Sequence, residues 1–413
     1  MKNFYSKRST CRLCDEANLE LVLHLKPTPI ADHYVTIEQQ RITQETYPLD
    51  LYLCESCGHV QLLDVIDPEI LFREYSYVTS VSPGLVRHFQ EHANQLIERL
   101  SLSPRDLVVE IGSNDGSFLK FFQEDGINVL GVDPALEVAK KAVASGVDTL
   151  PSYFTVEVAR EILQDFGSAR VICANNVFAH IDNLRAVVDG VYHLMSDDGV
   201  FVFEVSYLVD IVQKMLFDTV YHEHLCYHSI KPLCTFLNMV GMELFDVERI
   251  PTKGGSIRCW VRKVGHSKLV ADSVQSLLDL EDELMLDKVH PFKHLLRRIN
   301  AIKHQLLGLI GEIELKGQKL VGYGASATVT TLLYHFEMTD VFDFLVDDNP
   351  RKHNTYSPGK HIPVYSSDAI YERQADYVVI LAWPYAEVIV QRHKKFLDQG
   401  GHFILPFPEV KVL

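Results

Sequence analysis

No apolar run in this 413-residue chain approaches membrane length. The longest, such as Gly199-Val-Phe-Val-Phe, are strand-sized, against the roughly 20 residues a spanning helix needs. Basic residues are scarce too: 39 Lys and Arg against 55 Asp and Glu leave a formal charge of −16. Such a chain offers no broad cationic face, so neither nucleic acid nor a membrane is expected as partner; a local cationic pocket for a phosphate remains compatible. A charged-then-apolar leader is missing as well, and the expectation is a cytoplasmic protein. Disulfide spacing is also lacking, because four of the eight cysteines fall in two Cys-x-x-Cys pairs and the other four are scattered singly. In the cytosol, paired elements of that kind read as metal ligands.

What is present is an apolar content near half and a length calling for two or three domains. Residues 1–70 carry Cys11-Arg-Leu-Cys14 and Cys54-Glu-Ser-Cys57. Two such knuckles offer four thiolates to one tetrahedral zinc ion, leaving no open position, so the metal is expected to be structural. Tyr47-Pro-Leu-Asp-Leu-Tyr-Leu alternates like a strand entering the second knuckle. A nucleic-acid-binding ribbon is the alternative for this module, and the acidic balance disfavours it.

Residues 71–266 read as a first α/β domain. Tyr75, Tyr77, Thr79 and Ser80 form a hydroxyl-dense linker, either half-buried packing or a lid over a polar ligand. Leu107-Val-Val-Glu110-Ile-Gly112-Ser113-Asn114-Asp115-Gly116 is a buried strand, a glycine turn and a helix start. Asn128-Val-Leu-Gly-Val-Asp133-Pro134 is a second strand ending in an acid, 133 − 110 = 23 positions beyond Glu110, the usual reach to a ribose diol. Arg170-Val-Ile-Cys-Ala-Asn175-Asn176 ends in two amides where a ligand of an open sheet lies, and His180 follows as a rim residue or a helix cap. Residues Asp197–Val205 are a fifth strand; Met242–Glu248 and Gly255–Arg262 pair around Lys253-Gly254-Gly255.

Between them stands Tyr221-His222-Glu223-His224. Four consecutive residues that titrate or hydrogen-bond so differently suit a site that moves a proton on carbon, which needs a base, an orienting group and a donor to an oxyanion. A metal cluster or a polar helix start are the bland readings, and the segment lacks the His-x-x-x-His spacing of two ligands on one helical face.

Residues 267–314 read as a helical connector, and 315–413 as a second Rossmann-like domain. That unit opens on a strand and the turn Gly322-Tyr323-Gly324-Ala325-Ser326, whose N–H groups suit an anion. The diphosphate of a nucleotide-activated substrate is the favoured ligand there, with NAD as the alternative.

The first glycine turn is not Gly-x-Gly-x-x-Gly; its Glu-x-Gly-x-Asn-Asp-Gly form, followed by Val-Asp-Pro, resembles the class I S-adenosylmethionine-dependent methyltransferases. With the four cysteines, Asn175-Asn176, His180, Tyr221–His224 and Gly322–Ser326 in this order, the whole chain resembles the sugar C-methyltransferases acting on nucleotide-linked 4-keto-6-deoxysugars. The resemblance implies an α/β protein with an N-terminal zinc-binding module, a methyltransferase domain and a second Rossmann-like domain. It implies S-adenosylmethionine held by Glu110, Gly112–Gly116, Asp133, Pro134 and Asn175, and structural zinc on Cys11, Cys14, Cys54 and Cys57. His224 takes the role of base and Glu223 orients or tunes it. Tyr221 and Tyr75 are candidates to donate to the enolate oxygen, while Asn176 and His180 line the transfer site. Tyr77, Lys253 and Tyr323–Ser326 are expected to hold a sugar linked to thymidine or guanosine diphosphate. Rival expectations are an O- or N-methyltransferase, a zinc-ribbon regulator and an NAD-linked oxidoreductase.

Overall fold

Strand Tyr47–Cys54 buries Leu49, Leu51 and Leu53 on alternate positions, so one face seals against a core while the other stays wetter. It pairs antiparallel with Leu19–Thr28 on one side and Val60–Leu62 on the other. The fourth strand of this sheet is Cys226–Tyr227, directly beyond the Tyr-His-Glu-His segment. The computed structural model describes residues 4–73, 78–265 and 269–413.

The second sheet is built on strands buried over nearly their whole length, as parallel strands covered on both faces must be. Its order is Met242–Ile250, Ser256–Lys263, Met195–Ser206, Ala169–Asn175, Leu107–Ile111, Asn128–Val132, Thr149–Leu150. Only Ser256–Lys263 runs against its neighbours. The chain winds outward from Leu107–Ile111, then returns to its other side at Ala169–Asn175. That reversal opens a crevice at the carboxyl ends of these two strands. Helix Pro83–Leu100 covers one face with Phe89, His92, Ala93 and Leu96, a spacing of three and four residues.

Two helices, Asp272–Glu283 and His290–Leu315, fill the connector. The second turns a stripe from Phe292 through Leu295, Ile299, Ile302 and Leu306 to Ile313 inward. A third sheet closes the chain, in the order Thr355–Tyr356, Pro363–Ser366, Leu345–Asp347, Leu320–Tyr323, Tyr377–Ile380, His402–Leu405, Lys411–Val412. Its five inner strands are parallel and its two edges antiparallel. The structure is thus the expected zinc module and two α/β domains. Among the described residues, no helix is long and apolar enough to cross a membrane.

Candidate active site

A cavity of about 490 Å³ lies at the crevice of the second sheet. Gly112 turns the chain out of the first strand at φ +70°, and a Cβ there would lie 2.3 Å from Val177 Cγ2. Only glycine lets the turn fold back this closely. The next turn residue, Asn114, is also left-handed (φ 50°), and its N–H donates to Asp133 Oδ2 at 2.8 Å. Asp133 Oδ1 takes the N–H of Ala135, so the acid closes both strand ends around the cavity.

Among the described residues, three buried oxygens in this wall have no hydrogen-bond partner: Glu110 Oε2, Asn175 Oδ1 and Ser113 Oγ. Glu110 is otherwise held by the amide of Asn175 at 3.0 Å, and burial pushes its carboxyl up to about 8. Orphaned buried oxygens are costly, and a polar ligand satisfies them. An acid, an amide and a hydroxyl around a glycine turn fit the amine and hydroxyl donors of an aminoacyl nucleoside.

The opposite wall comes from the insertion. Tyr221, Glu223 and His224 line the cavity, with Asn176, His180 and Lys253 beside them. His224 Nδ1 lies 2.7 Å from the carbonyl of Thr219, and its Nε2 lies 2.9 Å from the Tyr221 hydroxyl. A carbonyl only accepts, so Nδ1 carries the proton and Nε2 presents its lone pair. Burial lowers His224 to about 4, which keeps the ring neutral. The ring stacks on His180 with centroids 5.1 Å apart, and His180 stacks on Phe72 at 5.7 Å. Burial likewise holds His180 well below the ordinary imidazole range.

The Glu223 carboxyl makes no hydrogen bond to His224, whose Nδ1 is held by the Thr219 carbonyl. Burial raises Glu223 to about 8, with Asp32 adding to the rise and Lys253 and Lys352 opposing it. Lys253 reaches the cavity from a left-handed backbone position (φ 52°), and its ammonium is lowered by burial. His222 points away, its ring meeting the edge of Tyr47 in the zinc module.

Of the other expected contacts, Gly112, Ser113, Asn114, Asp133, Pro134 and Asn175 line the cavity with Glu110, while Asp115 and Gly116 stand behind it. Asp115 accepts the N–H of Ser80 and Asn114 accepts that of Thr79, so the turn ties down the segment that follows the linker. Tyr75 and Tyr77 lie outside the described residues. Tyr323, Gly324, Ala325 and Ser326 do not line the cavity. The Tyr323 hydroxyl donates to Asp348 at 2.8 Å, and the Ala325 N–H to Asp347 at 2.7 Å. Sequence reading passed over Phe72, Leu85, Phe89, Tyr153 and Phe154, which supply apolar wall. Only the clustering of aromatics beside strand ends could have flagged them.

Comparison with known proteins follows from this geometry. A zinc-module model described as "Putative zinc binding domain" matches residues 11–72, "Methyltransferase domain" matches 85–247, and "C-methyltransferase C-terminal domain" matches 251–408. The chain is 34% identical to "C-methyltransferase NovU" of Streptomyces niveus over 408 residues, 98% of this chain and 96% of that protein. The chain belongs to the C-methyltransferase family. Solved structures similar to it include an S-adenosylmethionine-dependent methyltransferase from Clostridium acetobutylicum, 12% identical over 44% of this chain and 92% of that one (TM-score 0.36). Another is the 1,6-didemethyltoxoflavin-N1-methyltransferase of Burkholderia thailandensis, 18% identical over 43% and 78% (TM-score 0.32).

The cysteines of this C-methyltransferase meet as the family's zinc domain requires. Their four sulfurs all lie within 4.8 Å of one another, with Cys11–Cys57 at 3.7 Å and Cys14–Cys54 at 3.5 Å. A tetrahedron with Zn–S bonds of about 2.3 Å has edges of about 3.8 Å, so the set fits a zinc ion. With four protein ligands the ion is structural. The first knuckle also reaches the cavity rim: Arg12 Nε donates to Asp182 Oδ1 at 3.0 Å, and Asp182 lines the cavity.

Proposed function

We propose that this C-methyltransferase methylates C-3 of a nucleotide-linked 4-keto-6-deoxysugar through an enolate, in the making of a branched deoxysugar. The observation that carries the reading is the Tyr221–His224 pair, set in the same cavity as the turn Gly112–Asn114 and Asp133. The tyrosine hydroxyl donates to Nε2 at 2.9 Å. A ketosugar wedged between them would free both groups at once. Nε2 then takes the C-3 proton, made acidic by the adjacent carbonyl, while the hydroxyl donates to the oxygen on C-4. Neighbouring ring positions present a C–H and a carbonyl oxygen at a spacing like that of this pair.

Glu110, Gly112–Asn114, Asp133 and Asn175 would hold S-adenosylmethionine, which when bound would supply an electrophilic methyl group to the carbon nucleophile, its sulfur keeping the electron pair of the broken C–S bond. His224 enters the reaction neutral, and the negative diphosphate and developing enolate both raise its basicity. Lys253 and Asn176 remain to hold the ligand's oxygens, and His180 and Phe72 support the face of the base. The nucleotide is thymidine or guanosine diphosphate.

Methyl-labelled S-adenosylmethionine mixed with the protein and a 4-keto-6-deoxysugar nucleotide should place label on carbon; label on oxygen defeats the assignment. Without cofactor, solvent deuterium should enter C-3. His224→Ala should abolish both reactions while leaving cofactor affinity nearly unchanged, and lost cofactor binding would mean that the residue belongs to the other wall.

A further inference from the structure

The turn that supplies the acceptor for His224 is tied to its own segment at Leu216 and is held from the other side by the C-terminal domain. Phe217–Thr219 form a single 3-10 turn, and Phe217 is fully buried. Its ring sits among three rings of the C-terminal domain: His335 at 5.5 Å, Phe336 stacked at 5.6 Å and Phe407 at 5.7 Å. The next residue, Asp218, accepts the indole N–H of Trp383 at 2.8 Å. Two residues further, the carbonyl of Val220 accepts the hydroxyl of Thr331 at 2.7 Å, a bond buried from water. Between these anchors lies the carbonyl of Thr219, which holds His224 Nδ1.

We propose that the C-terminal domain positions the base. Trp383 and Thr331 are its positioning residues: they fix the turn Phe217–Val220 so that the Thr219 carbonyl selects one tautomer of His224 and aims Nε2 into the cavity. The inference rests on the reading of His224 as base for its catalytic consequence, but the clamp itself is a matter of geometry. Trp383 stands three residues beyond the end of strand Tyr377–Ile380, and Thr331 is in helix Ala327–His335, behind the glycine turn. The carboxyl end of this third sheet, where open α/β sheets take their ligands, is thus turned onto the turn Phe217–Val220 of the first α/β domain.

The bonds explain why a carboxylate and a threonine are buried here. Asp218 is 2% exposed, and its carboxylate takes the indole N–H of Trp383, with the backbone N–H groups of Asp218 and Thr219 also favouring the charged form. Burial raises Asp218 to about 7, and a neutral amide oxygen could accept from Trp383 equally well. Other groups facing His224 are Tyr221 on its own segment, His180 across the stack and Lys253 from the following loop.

The test is Trp383→Phe and Thr331→Val in the full-length protein, singly and together. Phenylalanine keeps a ring against Phe407, whose centroid lies 5.1 Å from that of Trp383, and valine keeps the volume of threonine. Each change should lower kcat about tenfold and the pair about a hundredfold, with cofactor affinity unchanged, as misplacement of a catalytic group does. The Thr219 bond raises the pKa of His224. Loosening it should therefore move the acid limb of the kcat/KM profile to lower pH, which a general loss of folded protein would not do. Asp218→Asn, retaining an acceptor oxygen, should stay near wild-type rate, whereas Asp218→Leu should behave like Trp383→Phe. An unchanged kcat and pH profile in the double variant overturns the proposal. Should His224→Ala still transfer methyl, the base reading falls, and the clamp is judged on nitrogen chemical shifts of His224 alone. A single Nδ1–H tautomer giving way to a mixture in the double variant supports it; the same tautomer in both overturns it.

Discussion

Glu223 shows how far burial alone can redefine a residue. It is 7% exposed and its carboxyl titrates at about 8, so at neutral pH it is largely an uncharged acid able to donate. The sign of its stability term follows. The folded pKa lies above the unfolded one, so the contribution is fully present below pH 4.5 and is lost as pH rises through about 8. Glu223→Gln removes that dependence, and its Tm relative to wild type should climb between pH 6 and pH 9. A constant difference across that range would show that the carboxyl ionises freely. At pH 7 the same variant should retain more activity than Glu223→Ala, because the amide keeps both the shape and a donor.

At the scale of elements, the first glycine turn does two jobs. It opens the cavity wall, and through Asn114 and Asp115 it anchors the backbone at Thr79 and Ser80. Gly112→Ala would place a methyl group against Val177 at a left-handed backbone position. A cost of about 1–3 kcal/mol in stability is expected from the overpacking, with weakened cofactor binding. Adding Val177→Ala should recover the part due to the clash but not the part due to backbone strain. Full recovery in calorimetry would mean that φ at this position carries no penalty. The helix Pro83–Leu100 is anchored from below, where Glu204 takes His88 at 2.8 Å and Arg258 at 2.7 Å while Gln95 binds Glu248. The acid is held near 2 by these partners. One wall of the site is thereby fixed to the sheet through buried and partly buried polar groups.

Across the whole molecule, three domains meet on one short insertion. Strand Cys226–Tyr227 completes the zinc-module sheet, Leu225 N–H bonds the carbonyl of Ala179, and the turn Phe217–Val220 is seated in the C-terminal domain. The four zinc-ligand cysteines do not line the cavity, yet loss of the metal should be felt there. Cys54→Ser should lower zinc content, Tm and methyl transfer together, while cofactor binding persists because it rests on the separate seven-stranded sheet. Metal-free protein with full activity, by elemental analysis and assay, would break that link. The arrangement also gives the acidic, two-Rossmann architecture a purpose beyond ligand binding: the parts of the site are held by contacts between domains.

Much of this was legible in the chain itself. Apolar runs of strand length, glycines at strand ends, acids 23 positions apart and two Cys-x-x-Cys pairs each encode a local geometry, so sequence alone placed the strands, both turns and the zinc ligands. The Tyr-His-Glu-His run likewise stood out by its residue types, and Tyr221, Glu223 and His224 line the cavity. What sequence could not decide was partnership. The group that orients His224 is a backbone carbonyl, which leaves no residue type to read, and Trp383 meets Asp218 across 165 positions of chain. Tyr323–Ser326 have the form of an anion-binding turn, yet Tyr323 and Ala325 are bonded to Asp348 and Asp347 and stand away from the cavity. A turn's shape is written locally, whereas what it faces depends on how the domains pack, and only the tertiary structure sets that.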